Sequence, residues 1–233
     1  MDEAVVRKLV ALNSDFYKTL AEPFSESRSS IPPGYHKVLD FLPRRPLTVL
    51  DIGCGNGRFG RFLVEEGLLA AYIGVDSSMA LLKLTQEPWS RLIERDLSRA
   101  NCLDGLGEFE LIVCLATLQH IPGRLNRERL LGEMAGHLAI GGRIVMSNWQ
   151  FLDNARQRRK IRPWTDVGLE LTEVEHNDYL LSWDRGGTGL RYVAFLDEEM
   201  TTIMASQAKL RVVESFRSDG KESNLNLYTI MAG

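Results

Sequence analysis

The stretch Thr48-Val-Leu-Asp-Ile-Gly-Cys-Gly-Asn-Gly-Arg-Phe-Gly60 decides the fold. An apolar run containing one acid leads into glycines at alternate positions, and a helical period begins at Arg58. Strand, glycine turn and helix in direct succession make the first half of a parallel strand–helix–strand unit. Glycines at such a turn let a ligand approach the backbone where a Cβ would collide, and a tight turn alone needs fewer of them. Gly55-x-Gly57-x-x-Gly60 also spells the dinucleotide fingerprint, with Asp76 about 20 residues on. Register argues against a dinucleotide. The apolar strand ends at Ile52, so Gly53 is expected to make the close approach, and Asp51 would repel the pyrophosphate that a helix N-terminus should receive. An acid in that place suits a ligand bearing an ammonium group and a sulfonium.

Outward from this loop, short apolar runs alternate with helical periods. Strands are expected at Leu47–Ile52, 71–75, Ser90–Glu94, 111–115 and 142–147, with helices at 58–66, 79–85 and 125–138. Apolar strands bounded by helices predict an α/β fold, a seven-stranded, mostly parallel Rossmann-like sheet flanked by helices. Before it, residues 2–21 carry a helical stripe stopped by Pro23, residues 25–33 a Ser- and Pro-rich loop, and residues 35–42 a second helix. After Trp149 the rhythm changes. Residues 179–184 and 190–195 flank Gly186-Gly187 as a hairpin, Asp197 caps a helix to about Leu210, and strands follow at 211–216 and 225–231. The chain therefore divides into a helical cap (1–45), a ligand-binding core (46–149), a substrate-side insertion after the fifth strand (150–195), and a last helix with two strands (196–233), all within one domain.

Bulk composition narrows the function classes. A net charge of -3 and 25% charged residues provide no global basic field, so nucleic acid would need a local patch, and DNA binding is not expected. Cys54, Cys102 and Cys114 lack metal-ligand spacing, so no metal is expected, and three scattered thiols suit a reducing, cytoplasmic setting. No run approaches the roughly 20 apolar residues of a membrane span.

The loop with its acid, Asp51-x-Gly53-x-Gly55-x-Gly57, resembles the first motif of class I S-adenosylmethionine-dependent methyltransferases, and matching segments follow in order. The resemblance implies S-adenosylmethionine as cofactor. It assigns the ribose hydroxyls to Asp76, ending the second strand beside Ser77, and the adenine edge to Asp96, beside Leu97. Cys54 and Asn56 complete the loop contacts, and Leu115, Thr117, Gln119 and His120 are expected beside the methyl group.

Flanking segments resemble the tRNA wobble-uridine methyltransferases, which esterify the carboxylate of 5-carboxymethyluridine. These are Tyr17-x-x-x-Ala21-x-x-Phe24-Ser25-x-Ser27-Arg28, Trp149-Gln150, Pro163-Trp164, Arg191-Tyr192 and Asn226-Leu227-Tyr228. Gln119-His120 stands where that family usually has two histidines, and Gly186-Gly187-Thr188-Gly189 has no counterpart in it. The resemblance implies tRNA as acceptor and, as in some members, a small activating partner protein. Arg156, Arg158, Arg159, Lys160 and Arg162 could neutralise phosphates, with Trp164 and Tyr192 available to the acceptor, although a solvated helix face explains such a run equally well. Arg28, Arg191 or Tyr17 would position a carboxylate, which needs no base at pH 7, whereas an amine or phenol would call on His120. The alternatives are a small-molecule methyltransferase, a non-catalytic cofactor-binding subunit and a nicotinamide enzyme.

Overall fold

The alternation of Leu50 and Ile52 with Val49 and Asp51 buries both faces of the first strand, as a central parallel strand requires. The computed structural model describes the whole chain except Ser29 and Gln86, so that part of the expected 25–33 loop lies outside the described residues. Its seven-stranded sheet contains β1 (Leu47–Ile52), β2 (Leu69–Asp76), β3 (Ser90–Glu94), β4 (Phe109–Leu115) and β5 (Leu138–Trp149). These five run parallel; β10 (Asn226–Ala232) pairs antiparallel with β5, and β9 (Arg211–Ser218) pairs antiparallel with β10 and so runs in the direction of the five. The order is β3-β2-β1-β4-β5-β10-β9. The order reverses between β1 and β4, which opens a crevice at their carboxyl ends.

Helices α1 (Glu3–Thr19), α2 (Ala21–Glu26) and α3 (Pro33–Val38) precede the sheet; α4 (Arg58–Glu65), α5 (Met79–Leu82) and α6 (Arg124–Gly136) lie within its parallel half. The chain does turn before Pro23, but Pro23 then sits in the first turn of α2, where its missing N–H costs nothing. The helix expected at 79–85 is a single turn. One core beneath the sheet takes Val5 and Leu9 of α1 with Leu130 and Met134 of α6; the other takes Val38, Phe59, Phe62 and Tyr228. Among the described residues no helix is long and apolar enough to cross a membrane.

The region after β5 contains the expected hairpin and adds a third strand to it. It holds α7 (Ala155–Arg158), β6 (Ile161–Arg162), β7 (Asp178–Trp183) and β8 (Gly189–Ala194), and the three strands form a separate antiparallel sheet in the order β6-β7-β8. Helix α8 (Glu198–Gln207) returns the chain to β9. The cationic run is thus one helical turn followed by an edge strand, and its charges point in several directions.

A buried polar cluster fastens this small sheet to the main body. Arg127 of α6 donates to the Ile121 carbonyl (3.0 Å), the Tyr192 hydroxyl (2.8 Å) and Glu175 (2.8 Å), and the Tyr192 hydroxyl donates to Asp178 (2.6 Å). Tyr192 is fully buried in this cluster, which corrects the expectation that it meets the acceptor. Trp164 is corrected likewise. It is buried in the core with its ring 6.5 Å from that of Tyr192, because the apolar indole gains more from burial than from solvent. Removing one partner of a buried, hydrogen-bonded charge set strands the others. Arg127→Met is therefore expected to lower unfolding free energy by about 3–5 kcal/mol in chemical denaturation, with partial recovery in the double variant Arg127→Met/Asp178→Asn.

Candidate functional site

Each loop glycine has a different task. Gly53 has φ +70, and a Cβ there would sit 2.2 Å from the Thr117 side chain, so its close approach is to protein even as its backbone lines the cavity. Gly57, also at φ +70, caps α4 and would strike Thr85. It is buried beneath the loop and does not face the cavity, so a direct cofactor contact from Gly57 is not what the structure provides. Gly55 alone has open space where a Cβ would be, at φ +55. Its N–H donates to Asp76 (2.8 Å), and the Gly53 and Cys54 N–H groups donate to the Val75 carbonyl, which ties the loop to the end of β2.

A cavity of about 710 Å³ opens at the crevice between β1 and β4. Asp51, Gly53, Cys54, Gly55, Asn56, Asp76, Ser77, Asp96, Leu97, Leu115, Thr117 and His120 all line it, together with Tyr17 and Arg28. Asp51 is 3% exposed and accepts a hydrogen bond from the Tyr72 hydroxyl (2.7 Å). Burial pushes its carboxyl up to about 7 against the opposing pull of that bond. Burial also raises the Asp76 carboxyl, whose oxygens accept from the Gly55 and Ser78 N–H groups. Asp96 is more open and caps its own turn through Ser98. Gln119 does not reach the cavity. It is fully buried and accepts from the Trp149 N–H (2.6 Å), fixing β5 to the turn after β4.

The N-terminal segment roofs the cavity. Asn56 donates to Ser25 (2.8 Å), and Arg58 donates to the Arg28 and Ser30 carbonyls and to the Tyr35 hydroxyl. Arg28 lies over the rings of Phe24 and Trp149, and burial, with Arg191 and Arg58 nearby, lowers its guanidinium to about 10, still charged at neutral pH. Arg191, 4% exposed, is packed among Trp149 (4.4 Å), Phe16 (5.2 Å) and Trp183 (5.3 Å), with Tyr17 beside it. Its Nε and Nη1 are buried without a hydrogen-bond partner. His120 has its Nδ1 3.0 Å from the Tyr192 carbonyl, which can only accept, so Nδ1 carries the proton. Burial and then Arg191 hold the imidazole down at about 3, which leaves it neutral and a weak base.

Arg28, Trp149 and Leu225 also belong to a second chamber of about 500 Å³, lined further by Arg156, Lys160, Arg185 and Arg191. Three members of the cationic run lie outside both cavities. Arg158 donates to the Leu152 carbonyl, Arg162 pairs with Asp166 (2.8 Å), and Arg159 is exposed. Residues absent from the expected set include Asn13, Arg58 and Arg185. Asn13 donates to the His120 and Tyr192 carbonyls and accepts from the Tyr192 N–H, so it ties the turn after β4 and strand β8 to α1. An asparagine at the i+4 position after Leu9, inside an apolar stripe, was the available signal.

Comparison with known proteins follows the same lines. The family described as Methyltransferase domain matches residues 26–181. A trans-aconitate 2-methyltransferase of Azoarcus sp. (strain BH72) is 32% identical over 78% of this chain and 86% of its own length. Among solved structures, the S-adenosylmethionine-bound amino pentose methyltransferase of Micromonospora echinaspora superposes with a TM-score of 0.63 at 17% identity, covering 91% of this chain and 96% of the other. The 1,6-didemethyltoxoflavin-N1-methyltransferase of Burkholderia thailandensis gives 0.63 at 19% identity, covering 98% and 87%.

The cavity suits S-adenosylmethionine on its own chemistry: an open backbone at Gly55, a buried acid for an ammonium, and further acids for hydroxyl and amine donors. An ammonium binds the ionised form of Asp51. Titration with S-adenosylhomocysteine should therefore show affinity rising up to about pH 7 and falling toward tenfold per unit below it. Asp51→Asn should flatten that profile and weaken binding throughout.

Proposed function

The chain belongs to the class I S-adenosylmethionine-dependent methyltransferases, and from that premise we propose that its acceptor group is the carboxylate of a small anionic acid. One observation carries this reading. Arg191 is a buried cation with two unpartnered donors, Nε and Nη1, and no acid against it. A desolvated charge of that kind is costly until an anion meets it, and a planar guanidinium matches a carboxylate in two-point contact. The relative named for trans-aconitate acts, by that name, on an acid with three carboxylates, which supports the same chemistry.

When bound, S-adenosylmethionine supplies an electrophilic methyl group on a sulfonium: a carboxylate oxygen takes it, the carbon–sulfur bond breaks with its electron pair passing to sulfur, and a methyl ester results. No proton moves, so no base is needed, and His120 with its imidazole held at about 3 is not called upon as one. Arg191 and Arg28 orient the carboxylate. Tyr17, its hydroxyl raised by burial, stays protonated and donates. Phe16, Trp149 and Trp183 exclude water around the guanidinium. Orientation and exclusion of this kind supply up to roughly 7–11 kcal/mol.

A second reading keeps the chemistry and changes the carrier. The carboxymethyl group of a wobble uridine in tRNA is also a carboxylate, and the exposed Arg159 with Arg156 and Lys160 favours a phosphate-bearing acceptor. Burial of Trp164 and Tyr192 removes the two aromatics that would stack on bases.

Methyl-labelled S-adenosylmethionine incubated with trans-aconitate, and separately with total tRNA, distinguishes the two. Transfer to the acid, released as methanol by mild alkali, is the expected outcome; transfer to tRNA alone selects the second reading. In Arg191→Met the kcat/KM for the acid should fall by about 30-fold to 1,000-fold. Its Tm without acceptor should stay level or rise, because an uncompensated buried charge has been removed.

A further inference from the structure

The second chamber gathers five cations, Arg156 and Arg185 at its exposed rim and Arg191 buried in its wall. Arg28, Arg156, Lys160, Arg185 and Arg191 share its wall with a single acid, Asp184. Outside the chamber several arginines do pair with a carboxylate, among them Arg127, Arg129, Arg162 and Arg217. Among the described residues, none of the five chamber cations has an acid within ion-pair distance, and Arg191 is buried with two donors idle. Burial, followed by the proximity of Arg191 and Arg156, pushes the Lys160 ammonium below its usual value. Like charges gathered in a half-enclosed space repel one another, and an anionic ligand would relieve that cost.

Position gives the chamber its meaning. Ser27, Arg28, Trp149 and Leu225 line both cavities, which sets the second chamber directly against the first. Arg191 lines the second chamber and lies 4.4 Å from the ring of Trp149, one of the shared residues. Arg156 and Lys160 enter from α7 and the turn after it and line the second chamber but not the cofactor cavity.

We infer that the second chamber is an anion subsite for the acceptor: the molecule methylated carries a further oxyanion, carboxylate or phosphate, which Arg156 and Lys160 hold while Arg191 and Arg28 hold the reacting carboxylate. This rests on the carboxylate reading above and narrows it to small acids with at least two anionic groups. Arg156 and Lys160 determine specificity, and neither touches the reacting atoms. Simple monocarboxylates lack the second anchor and are poor acceptors.

The test is calorimetric titration of the protein loaded with S-adenosylhomocysteine, at low ionic strength. The probes are tricarballylate, with three carboxylates, 4-phosphonobutyrate, with one carboxylate and a phosphonate, and butyrate, with one carboxylate. Tricarballylate or 4-phosphonobutyrate should bind at least about tenfold more tightly than butyrate, as expected for one added charge-assisted contact. The tighter of the two identifies the distal group. In the double variant Arg156→Ala/Lys160→Ala that advantage should vanish, while an unchanged affinity for S-adenosylhomocysteine reports an intact fold. Equal affinity for all three probes in the wild type overturns the inference, as does an advantage that survives in the double variant. Binding of a tRNA anticodon stem-loop that depends on Arg156 and Lys160, with no binding of either polyanionic probe, overturns the small-acid class. The underlying reading fails separately: the probes then obey the anion rule, yet labelled methyl never enters an alkali-labile ester on any carboxylate.

Discussion

Arg191 carries a positive charge into a place from which three aromatic rings exclude water and into which no acid follows it. Much of the acceptor half is arranged around that guanidinium. Helix α1 contributes Phe16 and Tyr17, β5 contributes Trp149, and β7 contributes Trp183. The same pocket explains the state of His120, whose imidazole is kept neutral by burial and by the adjacent cation. Aromatic faces offset part of the cost of burying the charge through cation–π attraction, but they leave the N–H donors unmet. The protein thus holds back a portion of its stability at the point where a ligand would restore it, the usual relation between a strained site and its task.

The cofactor half works with the opposite sign. Asp51 and Asp76 are buried acids at the ends of adjacent strands, held by Tyr72 and by backbone N–H groups of the loop and of the turn after β2. Burial disfavours their ionised forms and an ammonium favours them, so the first cavity carries buried acids while the adjoining chamber is lined by cations. Trp149 and Arg28, common to both cavities, lie at the boundary. On the proposed reading, this separation of charge across two adjoining cavities would orient a cationic donor and an anionic acceptor before any contact between them is made.

The small sheet β6-β7-β8 supplies this asymmetry, and the Arg127 cluster holds it in place. Arg127 reaches from α6 to Glu175 and to the Tyr192 hydroxyl, and Asn13 reaches from α1 to the backbone of the same tyrosine. Tyr192 is therefore an anchor, while its neighbour Arg191 points to the opposite side of β8 and faces the chamber. One residue of register separates a structural side chain from one facing the site, because successive side chains on a strand alternate faces.

The sequence by itself determined the α/β class, the succession of strands along the chain up to β5 and the cofactor loop. All of these rest on contacts local in the chain: an apolar strand, its glycines, and the acids at the ends of the next strands. Turn lengths and helix ends shifted by a few residues, as at Pro23 and at the single turn Met79–Leu82, because packing rather than propensity sets where a helix stops. Only the tertiary structure decided which cations of the run 156–162 are paired and which line a chamber, that Trp164 and Tyr192 are buried, and that Asn13 ties β8 to α1. Those properties depend on neighbours as far as 179 positions away in the chain. Whether a charge is compensated is a fact about the space around it, and no local pattern of residues records that space.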